Sequence, residues 1–398
     1  QLKYKAFDPA VESNYSTSVS FKTKALQDGW TGVALTYNNQ WESIAYGDNK
    51  YVAASRTDGS TAERIMWADD SDLDNWNFVV PSAVLPNYPI MTYTNNNKFV
   101  LMGYNSSNVY TASGSDLSTW QTITTTGLPG GTTNVLGITS GNGKVVVVGS
   151  NPNIAFADES DLSSWTVPTT LPSTNYRDII FDGDRFIATG GNTSGERNGI
   201  AWADKDDLDT WYELDVLTSD AGECFGIAYG DNKYVLVVRA NGASSPAKVF
   251  YCDKADFQNA WQSANLSENI AWYKVAFGNG RFVTTSTDGT NQIAVAQSSD
   301  LSSWAPVEAP SVSGWYSLIF GDKFVSVAYS GSTTYRVMYS ESGEGPAATF
   351  LAYDADAGKT ISDIGIVNRF GVDPTTNLNQ FGIYDLTEQP TYPVQAYV

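Results

Sequence analysis

The hexapeptide SDLSSW occurs twice in this chain, at residues 160–165 and again at residues 299–304. Near-copies end at four further tryptophans, so that six tryptophans recur at intervals of 43 to 50 residues: Trp76, Trp120, Trp165, Trp211, Trp261 and Trp304. A catalytic group is normally present once, whereas a motif repeated at an even interval builds a repeating structure. The repeat therefore predicts architecture before it predicts chemistry.

A second motif precedes each of these tryptophans and reads as strand, tight turn, strand. Examples are ESIAYGDNKYVAAS at 42–55 and FGIAYGDNKYVLVV at 225–238, in which Gly, Asn and Asp separate two runs of β-branched and aromatic residues. Such clusters are typical of β-hairpins. A repeat length in the forties is typical of a four-stranded propeller blade, so each copy predicts one blade.

The hairpin motif has seven copies, one more than the tryptophan motif. The last copy, SLIFGDKFVSVAY at 317–329, is followed by no tryptophan strand, but LQDGWTGVALTYN at 26–38 supplies one around Trp30. We therefore predict an all-β fold over residues 26–345. It is a seven-bladed β-propeller of four-stranded antiparallel blades, closed by an N-terminal strand that completes the last blade. Closure of this kind removes an exposed sheet edge.

The acidic turn and the tryptophan are predicted to hold each blade together. An Asp at this position accepts backbone N–H bonds in an Asx turn, and the Leu and Trp after it wedge between blades. A calcium site is the alternative, but calcium needs six to eight converging oxygens, so we predict no metal. The structural set comprises Trp30, Trp76, Trp120, Trp165, Trp211, Trp261, Trp304, Asp72, Asp116, Asp161, Asp207, Asp256 and Asp300.

These turns resemble the Asp-box propeller repeats of sialidases and of many virus tail and cell-surface proteins. The box of that family reads Ser-x-Asp-x-Gly-x-x-Trp; here the Gly is absent and the Asp is usually one residue closer to the Trp. In that family the box lies away from the reactive centre, so the resemblance implies a fold and no chemistry. The sialidase Arg-Ile-Pro motif is absent, and no sialidase residue is carried over.

Charge and composition exclude several classes of function. The net charge of −20 and the isoelectric point near 4.2 repel nucleic acid. The chain has no histidine, the commonest general base and metal ligand, so we predict no cofactor. No run of 18 apolar residues is present, which predicts no membrane insertion. The two cysteines, Cys224 and Cys252, fall at opposite ends of one sheet and are expected to be free thiols.

The start of the first strand in each blade lies at one mouth of the central channel. The residues at this position are Trp41, Tyr88, Asn134, Tyr176, Cys224, Trp272 and Trp315. With their neighbours they give a predicted ligand-binding set of Trp41, Tyr88, Tyr176, Arg177, Trp272, Tyr273, Lys274, Trp315 and Tyr316. Aromatic faces and polar groups suit sugar recognition, but packing between blades or contact with a partner protein would use the same residues.

For function, the sequence favours a non-enzymatic structural or recognition protein, most specifically a phage virion component such as a tail, fibre or capsid-attached protein. Its N-terminal arm (1–25) and C-terminal tail (346–398) do not fit the repeat. We expect them to dock on other virion subunits, with host surface carbohydrate as a further partner and a virion or extracellular location. The alternatives are a secreted lectin-like adhesin and a glycoside hydrolase or lyase, for which Glu42 and Asp178 are the carboxylates nearest the mouth.

Overall fold

The computed structural model describes most of the repeat region and little of the two flanks. The described residues are 29–56, 62–104, 106–128, 134–151, 154–170, 175–190, 199–216, 223–238, 247–266, 270–288, 292–311, 313–330 and 335–344, with the strands at 381–383 and 394–396. The chain divides into two compact units, Gln1–Pro346 and Ala347–Val398. The predicted N-terminal arm lies outside the described residues, as does the tail apart from its two strands.

The first unit is built from antiparallel four-stranded meanders. Five of them are separate sheets in the described residues, and each is named by its strands. The first has β2 (Trp41–Gly47), β3 (Lys50–Ser55), β4 (Ile65–Asp69) and β5 (Asn77–Val79). The next two have β14 (Tyr176–Phe181), β15 (Arg185–Gly190), β16 (Ile200–Asp204) and β17 (Asp207–Leu214), and then β18 (Cys224–Gly230), β19 (Lys233–Val238), β20 (Lys248–Asp253) and β21 (Gln262–Asn265).

The last two separate sheets complete this set. One has β22 (Trp272–Gly278), β23 (Arg281–Ser286), β24 (Ile293–Gln297) and β25 (Ala305–Val307). The other has β26 (Gly314–Phe320), β27 (Phe324–Ser330), β28 (Tyr335–Ser340) and, from the start of the chain, β1 (Thr31–Ala34). A short 3-10 helix, Lys254–Asp256, follows β20. The fold is thus an all-β propeller with four-stranded antiparallel blades.

The remaining eight strands of the repeat form one sheet. They are β6 (Asn87–Tyr93), β7 (Lys98–Tyr104), β8 (Asn108–Ser113), β9 (Asp116–Thr124), β10 (Asn134–Gly141), β11 (Lys144–Asn151), β12 (Ile154–Asp158) and β13 (Asp161–Thr166). Strand β10 pairs with β7 only through Asn134 and Tyr104. The described residues therefore hold five separate four-stranded sheets instead of the predicted seven, because this one pairing joins two meanders.

The N-terminal strand closes the last sheet. Strand β1 pairs antiparallel with β28, with Thr31 opposite Tyr339 and Val33 opposite Val337. The Trp30 indole N–H donates to the carbonyl of Gly343 at 3.0 Å, and the ring packs beside Phe324. A residue near each end of the repeat thus contributes to the same sheet.

The core lies between neighbouring sheets. The second strand of each meander carries a nearly continuous buried run, such as Val145–Val148 in β11, because both faces of that strand are covered. Strands β2, β6, β10, β14, β18, β22 and β26 contact one another in that order, and β26 contacts β2. The first strand of every meander therefore faces the centre.

The tight turns after the first strands need left-handed backbone conformations. Asp48 and Asn49 have φ of 51° and 56°, and Asp231 and Asn232 have φ of 49° and 55°. Asn and Asp tolerate this region better than other side chains do, so the repeated Gly-Asp-Asn-Lys sequence forms the same hairpin twice.

The repeated tryptophans share one hydrogen bond. The indole N–H donates to the backbone carbonyl three residues earlier in five copies, at 2.8 to 3.0 Å: Trp76, Trp120, Trp165, Trp211 and Trp304. Trp261 instead bonds the carbonyl of Phe257, four residues earlier, at 2.6 Å. Each indole is thereby fixed to its own turn, and rings such as those of Trp120, Trp211 and Trp304 pack with buried residues of the preceding meander.

The acidic turns are less uniform than the tryptophans. Carboxylates accept a backbone N–H from two residues later, at 3.0 or 3.1 Å, in four copies: Asp116, Asp161, Asp207 and Asp300. Asp72 instead accepts from the Asn75 side-chain amide, and Asp256 accepts through its backbone carbonyl. In the part of the chain that the structure describes, no cluster of metal-ligating side chains forms.

Cys224 and Cys252 are buried free thiols, and burial raises the pKa of both. Among the described residues, no helix is long and apolar enough to cross a membrane. In the second unit, β29 (Phe381–Ile383) pairs antiparallel with β30 (Val394–Ala396).

Candidate functional site

Most of the large aromatics predicted at the mouth lie in the core between sheets. Trp41, Tyr176, Trp272 and Trp315 are 0 % exposed, and so is Cys224 at the equivalent position. A fully buried ring offers no face to a ligand, so these residues have a packing role in this structure. Tyr88 is half-buried, and its ring faces a neighbouring arginine.

The residue after each buried position lies at the mouth instead. In five meanders the register shifts at this residue, so it is the extra residue of a β-bulge, and a bulge changes the direction in which a side chain points. These neighbours include Glu42, Arg177, Phe225, Tyr273 and Tyr316. The channel-facing set is therefore displaced by one residue from the set that the repeat made conspicuous.

Six aromatic rings and two arginines follow one another around the mouth, and we call them the aromatic arc: Arg177, Phe225, Tyr273, Tyr316, Tyr329, Arg56, Tyr88 and Tyr104. The ring centroids along Phe225, Tyr273, Tyr316 and Tyr329 are separated by 4.7, 5.1 and 5.7 Å. At one end the Arg177 guanidinium lies 5.3 Å from the Phe225 ring.

Arg56 connects the two tyrosine groups of the arc. Its guanidinium carbon lies 4.0 Å from the Tyr88 ring centre and 5.7 Å from that of Tyr329, and its Nη1 donates to the Tyr329 hydroxyl at 2.7 Å. Tyr88 has φ of 47°, a region that is costly for an aromatic residue, and its ring lies 5.7 Å from that of Tyr104. The guanidinium is thus held from two sides.

Glu42 is the buried carboxyl group at the mouth. It is 7 % exposed, and its Oε1 is buried with no hydrogen-bond partner among the described residues. Burial raises its pKa from the ordinary 4.5 to about 7, and the Arg56 charge offsets part of that rise. Near neutral pH this carboxyl group is therefore present in both protonation states.

Tyr316 is electrostatically coupled to Glu42. Burial raises the pKa of the Tyr316 hydroxyl, and the negative charge of Glu42 raises it further. Strand β26, which carries Tyr316, contacts β2, which carries Glu42. The tyrosine hydroxyl therefore stays protonated beside a carboxyl group that can ionise.

Two further basic residues at the mouth, Arg177 and Lys274, are paired with carboxylates. Arg177 Nε donates to Glu223 Oε1, and Lys274 Nζ lies 2.7 Å from Asp178 Oδ1. Asp178 Oδ2 also accepts the backbone N–H of Ile227 at 3.2 Å. Asp178 thus joins three neighbouring sheets, whereas Glu42 Oε1 has no such partner among the described residues.

A hollow beside Tyr104, at one end of the arc, is less suited to chemistry. It is lined by residues including Val84, Asn87, Tyr104 and Tyr110, and its lining contains no acidic or basic side chain. The mouth combines a carboxyl group, a guanidinium and hydroxyls, so it is the candidate site.

The sequence predicted Glu42, Arg177, Tyr273, Lys274 and Tyr316 at the mouth. In the structure Tyr273 and Tyr316 are neighbours in the aromatic arc, Arg177 lies at one end of it, and Lys274 is paired with Asp178. The sequence prediction did not include Arg56, Phe225, Tyr329 or Tyr104. Phe225 follows Cys224 as Tyr273 follows Trp272, so its equivalent position in the repeat could have identified it. The others lie at or just after the ends of second strands, a position that the repeat does not mark.

No protein-family model matches this sequence, and no curated protein matches it. Solved structures do resemble the fold. Virginiamycin B lyase from Staphylococcus aureus, crystallised with quinupristin as a catalytically inactive histidine-to-alanine variant, is 15 % identical. The match has a TM-score of 0.60 and covers 78 % of this chain and 98 % of that chain.

Two further structures give the same result. A streptogramin B lyase is 12 % identical at a TM-score of 0.57, with 78 % of this chain and 96 % of that chain covered. The computationally designed Ika8 protein is 13 % identical at a TM-score of 0.50, with 78 % and 99 % covered. At such identities the likeness concerns the fold alone.

These comparisons correct the functional prediction. The natural proteins named here are lyases, and none of the comparisons indicates a phage component, so the prediction of a non-enzymatic virion protein is contradicted. The repeat, which carried that prediction, specifies a scaffold that enzymes also use, and a shared scaffold does not determine function.

Proposed function

We propose that this protein is an enzyme of the lyase class, with its active site at the propeller mouth and Glu42 as its general base. The observation that carries the proposal is the position of the Glu42 carboxyl group. It is 7 % exposed, and its Oε1 has no partner among the described residues. The Arg56 charge lowers its pKa, and its own charge raises the pKa of Tyr316. A scaffold carboxylate would be paired, as Asp178 is.

Two of the proteins with a similar fold are lyases, which motivates the choice of this reaction class. Replacement of one histidine inactivates the virginiamycin B lyase that shares this fold. The present chain has no histidine, so an elimination here needs a different base. A carboxyl group with a pKa of about 7 suits that role, because a general base works best when its pKa lies near the working pH.

The proposed step is a β-elimination. Glu42 takes a proton from a carbon next to a carbonyl group, and the electron pair of that C–H bond forms a carbon–carbon double bond. The bond from the neighbouring carbon to a leaving oxygen breaks, and its electrons stay on that oxygen, which accepts the Tyr316 proton. Loss of the Glu42 proton and reprotonation of Tyr316 from solvent restore the site. Arg56 stabilises the negative charge that develops on the carbonyl oxygen.

We also propose that the fold carrying this site is a ring of seven blades with Asp-box-like turns. The eight-stranded sheet consists of two meanders, β6–β9 and β10–β13, joined through one residue pair. The first strands follow in cyclic order around the centre, and four acidic turns use an Asx hydrogen bond. A crystal structure would count the blades, and a ring with another number would overturn this inference.

The experiment is a lyase screen with matched glutamate variants. Purified protein is incubated with lactones, esters and β-substituted carbonyl compounds, including quinupristin, and elimination is followed by absorbance of the new double bond and by mass. We expect turnover of at least one compound, reduced about 100-fold or more by Glu42→Gln. Glu159→Gln is the control, because Glu159 is equally buried but bonds Ser140, away from the mouth.

A screen without turnover would count against the proposal. So would a Glu42→Gln protein that matches the wild type while Glu159→Gln does not. Deuterium incorporation at the carbon next to the carbonyl, in D₂O, checks proton abstraction separately from departure of the leaving group.

A further inference from the structure

Arg56 differs from Arg177 and Lys274 because it forms no ion pair among the described residues, although its charge acts on the Glu42 carboxyl group. Arg177 and Lys274 are neutralised by Glu223 and Asp178. Among the described residues, Arg56 forms no ion pair, and its hydrogen-bonding side-chain contact is with a neutral group, the Tyr329 hydroxyl. The net charge of the chain is −20, so an arginine at the mouth is a local positive charge in a negative surrounding. A ligand anion is the natural partner for it.

The guanidinium is also fixed in place before any ligand binds. Tyr88 covers one face at 4.0 Å, and Tyr329 takes the Nη1 proton. The left-handed backbone of Tyr88 costs free energy, and such strain is concentrated at functional sites. Nε and Nη2 donate to no described residue, and this edge of the guanidinium matches the two oxygens of a carboxylate.

Flat side chains continue from Arg56 along the arc. Tyr329 leads to Tyr316 and then to Tyr273, with centroid separations of 5.7 and 5.1 Å. All three are half-buried, so part of each remains accessible. A ring joined to a carboxylate would bring its flat face to these tyrosines while its oxygens meet Arg56.

We infer that the substrate of this site is a carboxylic acid carrying a planar ring, with its carboxylate bound by Arg56 and its ring against Tyr316 and Tyr329. The inference rests on the proposed function, since it assigns the carbonyl group of that reaction to a carboxylate. Arg56 then acts in both substrate binding and the reaction. It binds the carboxylate in the ground state and stabilises the added charge when the proton on the neighbouring carbon leaves.

Glu42 makes this binding pH-dependent. The protonated Glu42 is neutral and does not oppose a carboxylate at Arg56, whereas the ionised form repels it. Because the pKa of Glu42 is about 7, affinity for an anion should fall as the pH rises through that value. By linkage, a bound carboxylate should raise the pKa of Glu42 further.

The test uses benzoate as the probe, with the full chain and ligand-observed NMR. We expect millimolar binding that is weakened about tenfold or more by Arg56→Gln, since a charge-assisted hydrogen bond is lost. Arg56→Lys should recover part of it, because the charge returns without the two-pronged geometry. Arg281→Gln, at a distant ion pair with Glu344, should bind as the wild type does. Benzamide, the neutral analogue, should bind more weakly than benzoate.

The pH arm separates a specific site from general attraction to a basic surface. Benzoate affinity should fall between about pH 6 and about pH 8 in the wild type and stay level in Glu42→Gln. Equal binding by wild type and Arg56→Gln, no benzoate binding, or benzamide binding as tightly would overturn the inference. Near-ultraviolet circular dichroism verifies that each variant is folded. If the Arg56→Gln protein does not fold, the Arg56→Lys protein still tests the inference.

Failure here is distinguishable from failure of the proposed function. If elimination depends on Glu42 but neither turnover nor benzoate binding depends on Arg56, the reaction class stands and the carboxylate assignment falls. If benzoate binds through Arg56 but no compound is turned over, the recognition inference stands and the lyase proposal falls.

Discussion

The two ends of the first strand differ in how strictly the repeat is followed: the same contact recurs at the turn end, whereas the residues at the mouth end vary between copies. At the turn end, an aromatic ring of one meander covers a glycine of the preceding one in five places: Tyr93 on Gly47, Phe181 on Gly141, Phe277 on Gly230, Phe320 on Gly278 and Tyr46 on Gly321. At the mouth end, the channel-facing residues differ from copy to copy. Contacts that recur hold the ring together, whereas residues that differ are free to form one site.

This comparison makes a general prediction about variants. Removing a recurring contact should lower the free energy of unfolding and leave ligand binding in the folded protein unchanged. Removing a residue specific to the mouth should instead change ligand binding and lower the free energy of unfolding little or not at all.

Trp30→Ala should produce the largest loss of stability. The ring is 9 % exposed and its indole N–H bonds Gly343, so truncation leaves a cavity and an unpaired carbonyl where the first described strand joins the last sheet. We expect a loss of about 4 kcal/mol in the free energy of unfolding, measured by urea denaturation. Trp76→Ala, at a half-buried copy, is the control and should cost less. Equal losses would show that the Trp30 contacts contribute no more to the free energy of unfolding than those of another copy of the motif.

Glu42→Gln should stabilise the protein in a pH-dependent manner. The pKa of Glu42 is about 7 in the folded protein against an ordinary 4.5, so folding favours the protonated form. Its contribution is present below about pH 4.5 and is lost as the pH rises through about 7, where the ionised group costs about 3 kcal/mol. Above that pH the variant should be more stable than the wild type by up to this amount. Thermal unfolding at several pH values measures the difference, and a difference that is constant with pH would contradict the raised pKa.

Gly230→Ala tests a recurring contact at the turn end. A Cβ at residue 230 would lie 1.9 Å from Phe277 Cδ1, so the aromatic ring or the backbone must move. We expect a loss of about 2 kcal/mol. Gly280→Ala is the matched control: it has no neighbour within 4 Å but a φ of 72°, so only backbone strain of about 1 kcal/mol applies. Benzoate binding by the folded Gly230→Ala protein should be unchanged, and a parallel loss of binding would break the distinction between the two ends.

The sequence predicted the scaffold better than the site for a physical reason. Hairpin turns and the tryptophans that follow them, such as Trp165, recur, so each copy supports the interpretation of the others. The pairing of Trp30 with the last sheet could be deduced because the last copy lacks a fourth strand. The joining of two meanders through Asn134 and Tyr104 depends on a single pairing outside the repeat, which no pattern records. At the mouth, the repeat marks the large aromatics, but Trp41 is fully buried, and the β-bulge that follows it at Glu42 leaves no mark in the sequence. Arg56 was missed because its role comes from three elements meeting in space.

Tyr329→Phe should have the smallest effect on stability and a specific effect on the site. It removes the hydroxyl that accepts from Arg56 Nη1 at 2.7 Å and keeps the ring beside Tyr316. The free energy of unfolding should change by about 1 kcal/mol or less, because the half-buried guanidinium can bond water instead. Benzoate affinity should fall a few-fold, since Arg56 is then held from one side and must be ordered on binding. Tyr339→Phe is the matched control, because its hydroxyl bonds Asp74 outside the arc and its loss should leave benzoate binding unchanged. Isothermal titration of both variants measures the effect, and an equal change in the two would mean that the tyrosine does not position the arginine.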